Sequence, residues 1–202
     1  DHNFMSEEGE LLDRGSRYTW VLDPLDGTLN YMIRNPFFST SLILLEDREP
    51  IIGVIYAPFT REMFVAEKDR AARLNERNII VSKERRLQNS VLAYGYFRKD
   101  KKSRATSLKV LGSFEDAGRA VQHLGCTSLE LAYVACGRME AQVLAPPLRL
   151  WDIAAGMLLV EEAGGKITNF KGKPWKGLHE GLVASNGHIH QQILNVLKKH
   201  RV

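Results

Sequence analysis

Apolar and polar positions alternate at strand spacing through the first half of the chain. Phe37–Leu45 and Ile51–Tyr56 are apolar, β-branched runs divided by the charged segment Glu46-Asp47-Arg48-Glu49-Pro50, which predicts two strands joined by a turn. Met63–Ala66 continues the meander after the turn residues Pro58-Phe59-Thr60-Arg61. Tyr18–Leu22 reads as a short strand that Pro24 stops, and Ile79–Val81 and Val91–Tyr96 read as further strands.

Past about residue 90 the period lengthens. Thr106–Ala117 and Leu129–Cys136 carry helical spacing, and in Asp152–Ala163 the side chains of Ile153, Met157 and Val160 line one apolar face. Gly164-Gly165 is a helix stop, because glycine takes the left-handed conformation that closes a helix C-terminus. Ala141–Leu144, Lys166–Phe170 and Leu182–Ala184 return as strands, and Ile189–His200 predicts a terminal amphipathic helix. Strands followed by strands alternating with helices indicate a layered α/β (α+β) unit. No repeat or linker divides it, so residues 1–202 are expected to form one catalytic domain with lobes 1–90 and 91–202.

Composition narrows the classes without choosing among them. With 44% hydrophobic and 26% charged residues, the chain is neither disordered nor coiled-coil in composition. No apolar stretch reaches the roughly 18 residues of a membrane span. Two cysteines, Cys126 and Cys136, make no disulfide framework and imply reduced thiols in a cytoplasmic protein. The net charge of +4 hints at anionic partners, but the basic residues are not pooled. The densest run, Arg98-Lys99-Asp100-Lys101-Lys102 with Arg104, reads as a solvated loop entering a helix, and no motif argues for nucleic acid.

The chemistry concentrates in Trp20-Val-Leu-Asp23-Pro24-Leu25-Asp26-Gly27-Thr28-Leu29-Asn30. An apolar strand delivers Asp23 at its end, the Pro24 turn lets Asp26 converge on it, and Gly27 permits a backbone conformation closed to other residues. Thr28 is a good N-cap for a short helix over Leu29–Ile33, whose first amides could hold a phosphate. Two hard carboxylates beside such a cradle suit Mg²⁺, which takes carboxylate, water and phosphate oxygens. An ordinary Asp-Pro, Asp-Gly turn with a helix cap explains the same dipeptides one at a time. Glu7-Glu8 is by itself a solvated turn, and Asp152 by itself a favourable partner of a helix dipole.

Taken together, Asp23-Pro-Leu-Asp-Gly-Thr-Leu-Asn30, Trp151-Asp-Ile-Ala-Ala-Gly156 and Glu162-Ala-Gly-Gly165 resemble the inositol monophosphatase family of magnesium-dependent, lithium-sensitive phosphatases. Glu7-Glu8 matches the pair preceding the family's first motif, and Leu74-Asn75 followed by Ile80-Val81-Ser82 resembles the segment after its meander. The resemblance implies the αβαβα sandwich shared with fructose-1,6-bisphosphatases, with helices ahead of residue 1, and a homodimer. It implies two or three Mg²⁺ ions. Glu7, Asp23 and the Leu25 carbonyl would hold one, and Asp23, Asp26 and Asp152 a second. Glu7 and Thr28 would orient and deprotonate a water, with Asp26 also in the catalytic set. Gly27, Thr28, Asp26, Gly125, Cys126, Thr127 and Asp152 would line the substrate, Cys126 as a pocket wall, and Glu8 would serve in an outer shell or at a third metal.

Two departures loosen the substrate. Gln122 and Cys126 replace the arginine and the serine or threonine common in the family, and Leu144 or Ala145 falls where inositol-selective members carry an acid. Removing partners for hydroxyls relaxes selectivity. The expected reaction is therefore hydrolysis of a small phosphorylated polyol or sugar such as inositol 1-phosphate. Fructose-1,6-bisphosphatase, 3′-phosphoadenosine 5′-phosphate phosphatase and histidinol-phosphatase activities are the alternatives on this scaffold, and a non-catalytic metal-binding regulator is the alternative of another class.

Overall fold

The computed structural model describes residues 1–95 and 101–200, the side chains of 101–103 excepted. Tyr96 and positions 98–100 of the basic run lie outside these residues. The first sheet has seven strands in chain order: β1 (Asn3–Ser6), β2 (Tyr18–Asp26), β3 (Ser39–Glu46), β4 (Glu49–Ala57), β5 (Glu62–Glu67), β6 (Arg73–Leu74) and β7 (Arg77–Asn78). β1 runs parallel to β2 and every later neighbour is antiparallel. The β3–β4 hairpin turns through Asp47 and Arg48, both at positive φ (49° and 73°), the turn whose twist suits a two-residue hairpin.

The second sheet is ordered β11 (Lys166–Asn169), β12 (Leu182–Ser185), β10 (Ala141–Leu144), β8 (Val91–Gly95) and β9 (Ala120–Gln122). Between the two sheets lie α3 (Thr127–Ala135) and α4 (Leu150–Glu162), α4 against β2–β5 and α3 against β10. The helices α2 (Lys101–Ala117) and α5 (His190–Lys199) cover the far side of the second sheet. The result is a mixed α/β sandwich of sheet, helices, sheet and helices, as the resemblance implies for these layers.

The main core fills the space between the sheets, with Ile43, Ile55, Phe64, Leu129, Leu131, Ile153 and Leu159 all at 2% exposure or less. A second core, around Leu92, Phe114, Ile189 and Ile193, seats α2 and α5. His190 is buried there between Ser185 Oγ (2.7 Å) and Thr168 Oγ1 (2.8 Å), and burial lowers its pKa to about 4. It is a structural clamp, in keeping with the absence of any histidine metal site among the described residues.

The close approach of α3 and α4 rests on Gly156, where any added Cβ would fall on the side chain of fully buried Leu131. Gly156→Ala is expected to cost about 2–3 kcal/mol through overpacking, read as a melting temperature lowered by about 5–10 °C.

Several local expectations are corrected. β2 does not stop before Pro24 but continues to Asp26 through a bulge. Ile79–Val81 is irregular: Ile79 donates to the Ala72 carbonyl and Val81 to that of Ala163, single tethers to two different segments, while β6 and β7 do the pairing nearby. Thr28 is the first residue of α1 (Thr28–Met32) and not its cap, because Gly27 holds the cap position at φ 86°. Helix α4 starts two residues ahead of Asp152, which therefore lies in its first turn.

Candidate active site

The β2 bulge explains how Asp23 and Asp26 come together. In a regular strand, residues three apart point to opposite faces. Here Asp23 pairs with Ser41 and Asp26 with Ser39, so three steps on β2 match two on β3, and the extra residue returns both carboxylates to one side. Pro24 fits this bulge because its missing N–H is not needed for pairing. Asp23 Oδ1 accepts the Leu25 N–H (2.9 Å), and the Leu25 carbonyl accepts the Thr28 hydroxyl (3.0 Å), which ties the turn closed.

Gly27 is required twice over. Its φ of 86° is left-handed, and an added Cβ would stand 3.1 Å from the Phe37 carbonyl, 3.2 Å from Cys126 Cβ and 3.3 Å from Phe38 Cα. Beside it, buried Asn30 donates to the carbonyls of Phe37 (2.8 Å) and Leu124 (2.6 Å), so α1 is stapled to both flanking loops.

Glu7 follows β1 and extends its parallel pairing, with its N–H on the Leu22 carbonyl (3.1 Å), which sets it opposite Asp23. Asp152 arrives from the first turn of α4. Glu7, Asp23 and Asp152 each offer an oxygen such that all three lie within 4.8 Å of one another. Glu8 is exposed and outside this group.

Such a group is electrostatically unfavourable as it stands. Burial, then the charges of Asp26 and Glu7, push the Asp23 pKa up to about 7, although the Leu25 N–H works against this. Burial, then Asp26, Asp23 and Glu7, push Asp152 up to about 8. Asp26 is also raised by burial, with the Ser128 hydrogen bonds opposing. Converging carboxylates that resist ionisation, with oxygen donors alone, fit a hard divalent cation, which would neutralise them.

Asp26, expected as a further ligand, lies outside this trio, although its charge reaches Asp23 and Asp152, and its Oδ2 is already engaged by Ser128. Gly125, Thr127 and Asp152 line one cavity of about 170 Å³, together with His123 and the apolar Leu144, Ala145, Leu148 and Ile153. Cys126 is placed differently from a pocket wall. It is fully buried beneath Asp26, its thiol 3.3 Å from Oδ2, because the bend before α3 turns it inward against Ser39. Burial and the Asp26 charge raise its pKa, which keeps the thiol protonated.

Two contributors escaped the sequence. Ser128 holds Asp26, and buried Glu130 accepts the N–H groups of Leu124 (2.8 Å) and Gly125 (3.1 Å), shaping the loop that borders the cavity. A carboxylate inside the otherwise apolar Leu129–Ala132 stretch was the available signal for Glu130. For Ser128 there was none.

The family model of the inositol monophosphatase family matches residues 1–201. A protein named Nus factor SuhB from Xylella fastidiosa is 40% identical over 172 residues, covering 85% of this chain and 62% of that relative. The chain thus spans less than two thirds of that protein's length. A fructose-1,6-bisphosphatase/inositol-1-monophosphatase from Thermotoga maritima is 35% identical over 199 residues, covering 98% of this chain and 74% of the relative. The solved inositol monophosphatase of Anabaena superposes with a TM-score of 0.92 at 34% identity, covering 98% of this chain and 79% of that one.

Proposed function

The chain belongs to the inositol monophosphatase family, and from that premise we propose that it is a Mg²⁺-dependent phosphomonoesterase acting on a small phosphorylated polyol or sugar. The observation that carries the proposal is the convergence of Glu7, Asp23 and Asp152 within 4.8 Å beside the Asp23–Thr28 turn. Glu7, Asp23, the Leu25 carbonyl, Asp26 and Asp152 would hold the cations. Bound there, Mg²⁺ would neutralise the carboxylates, attract the phosphate dianion and acidify water.

The protein groups do the rest. Thr28 spends its hydroxyl hydrogen on the Leu25 carbonyl, so toward a water it can only accept a hydrogen bond. Glu7, the exposed member of the trio, takes the water's proton as that water attacks phosphorus. The amides of Gly27 and Thr28 bind phosphate oxygens as charge develops on them. The P–O ester bond breaks in line with the attack, and the leaving oxygen takes a proton from solvent, releasing alcohol and inorganic phosphate. Gly125, Thr127 and Asp152 face the alcohol across the small cavity, whose Leu144, Ala145, Leu148 and Ile153 walls offer no side-chain partner for hydroxyls. That supports relaxed selectivity among polyol and sugar phosphates.

A phosphate-release panel with Mg²⁺ tests this reading, using inositol 1-phosphate, fructose 1,6-bisphosphate, 3′-phosphoadenosine 5′-phosphate and histidinol phosphate. Release from inositol 1-phosphate or the sugar bisphosphate, abolished by excess chelator and reduced by millimolar lithium, is expected. Turnover in excess chelator refutes metal catalysis. No release from any member of the panel favours a regulatory role, the reading that relatives named Nus factor SuhB bring forward.

The proposal includes a cytoplasmic homodimer. Exposed apolar residues on α1 and its surroundings, Leu29, Tyr31, Met32 and Phe59, support a partner surface, and light scattering tests it. Among the described residues no helix is long and apolar enough to cross a membrane.

A further inference from the structure

Behind Asp26 lies a set of small polar side chains that the chemistry above does not use. Ser128 is fully buried in the first turn of α3. Its N–H and its hydroxyl both meet Asp26 Oδ2, each at 2.6 Å, and Cys126 Sγ stands 3.3 Å from the same oxygen. Ser39 Oγ, buried on β3, lies 2.9 Å from Ser128 Oγ and 3.2 Å from Cys126 Sγ.

Proton accounting gives these contacts a direction. An ionised carboxylate only accepts, so the single hydrogen of the Ser128 hydroxyl goes to Asp26. Ser128 then has none for Ser39, so along their 2.9 Å contact the Ser39 hydroxyl is the donor and Ser128 Oγ the acceptor. A one-way relay runs from Ser39 through Ser128 to Asp26. Because both serines are buried, no solvent stands in for a lost donor.

We propose that Ser128 is a positioning residue for Asp26: it fixes one carboxylate oxygen to the start of α3 and so leaves Asp26 a single orientation to offer a Mg²⁺ ion. The inference rests on the metal reading above. A carboxylate without such donors swings about its terminal torsion, whose preference is broad. Partners that orient a ligand from behind change metal affinity by about 10–100-fold. Ser128 touches neither substrate nor the reacting atoms, and its influence passes through Asp26.

The test is a calorimetric titration of the intact, substrate-free protein with Mg²⁺ alone, beside the Mg²⁺ dependence of phosphate release. Ser128→Ala should weaken Mg²⁺ binding by about 10-fold or more. The half-saturating Mg²⁺ for turnover should move by the same factor, and saturating Mg²⁺ should recover most of the turnover. Ser39→Ala should show a smaller loss in the same direction, and the double variant should bind no more weakly than Ser128→Ala. Unchanged Mg²⁺ affinity in Ser128→Ala overturns the proposal, as does lost maximal turnover with affinity intact. If Ser128→Ala does not fold, unchanged Mg²⁺ affinity in Ser39→Ala overturns it instead. A parent protein that takes up no Mg²⁺ removes the metal reading itself, an outcome distinct from failure of the variant alone.

Discussion

Asp23→Asn will lower Mg²⁺-dependent phosphate release on the order of 10³-fold and will also raise the melting temperature of the metal-free protein above about pH 7. The two effects share one cause. Asp23 is 1% exposed and faces the charges of Asp26 and Glu7, so its ionised form is held against burial and repulsion together. Asparagine keeps the shape and keeps an oxygen to accept the Leu25 N–H, so the bulge and turn are preserved. It removes only the charge. Without that charge the trio loses its buried carboxylate, and a cation that would stabilise the developing phosphate charge would be held poorly. In the metal-free protein the same loss relieves strain, a trade of activity for stability expected where function demands an unfavourable cluster. Phosphate release and thermal melts in chelator at pH 8 read the two halves. Wild-type turnover in the variant would sink the metal assignment, and a lowered melting temperature would show that Asp23 is not strained.

How far the sequence foretold this site depended on how local each cause was. The strands β3, β4 and β5 were legible because one face of each is buried and their turns carry charge or proline. The Asp23–Asn30 segment was legible because its strand, turn and glycine are contiguous. β1 was not, since Asn3–Ser6 has four residues and gains its extended form from pairing with β2. Likewise the β6–β7 hairpin rests on two-residue strands around Asn75 and Glu76, both at positive φ, too short for any hydrophobic period. The apolar run Ile79–Val81 offered the better strand pattern, yet its partners are spread over two segments. Ser128 and Cys126 acquire their roles a hundred residues away from Asp26. Spacing cannot show that a carboxylate at the end of β2 meets the first turn of α3. The motif residues were readable, and the donors that hold them were products of tertiary packing.

Metal-free protein will lose stability as pH rises from about 6.5 to 8.5, by about 5 °C or more in melting temperature, and Mg²⁺ will remove the share of the decline that Asp23 and Asp152 carry. The sign follows from which state keeps its protons. Asp23 and Glu130 have pKa values pushed up to about 7, and Asp152 to about 8, chiefly by burial. In the unfolded chain the same groups are ionised above about pH 4–5. Between those limits the folded state binds more protons than the unfolded one, so stability falls with rising pH. His190 works the other way below its ordinary value of 6.5, since its folded-state pKa is lowered to about 4 and the unfolded chain takes up its proton first. The two trends overlap at acid pH and separate above about 7, where His190 is mostly neutral in both states and the carboxyls carry the slope. Toward about pH 8.5 the buried thiols of Cys126 and Cys136, whose pKa values burial raises, add a decline of the same sign. A cation that binds the ionised carboxylates stabilises the folded state more as they ionise, by an amount set by its concentration relative to its dissociation constant. Melts at pH 6.5, 7.5 and 8.5 with chelator and with Mg²⁺ will separate the two curves. A flat or rising metal-free curve would mean that Asp23 and Asp152 are not forced together as the fold requires. Parallel curves would mean that Mg²⁺ binds elsewhere than on these carboxylates. Glu130 supplies an internal control, because Glu130→Gln removes its share of the slope while leaving the Mg²⁺ difference from Asp23 and Asp152 in place.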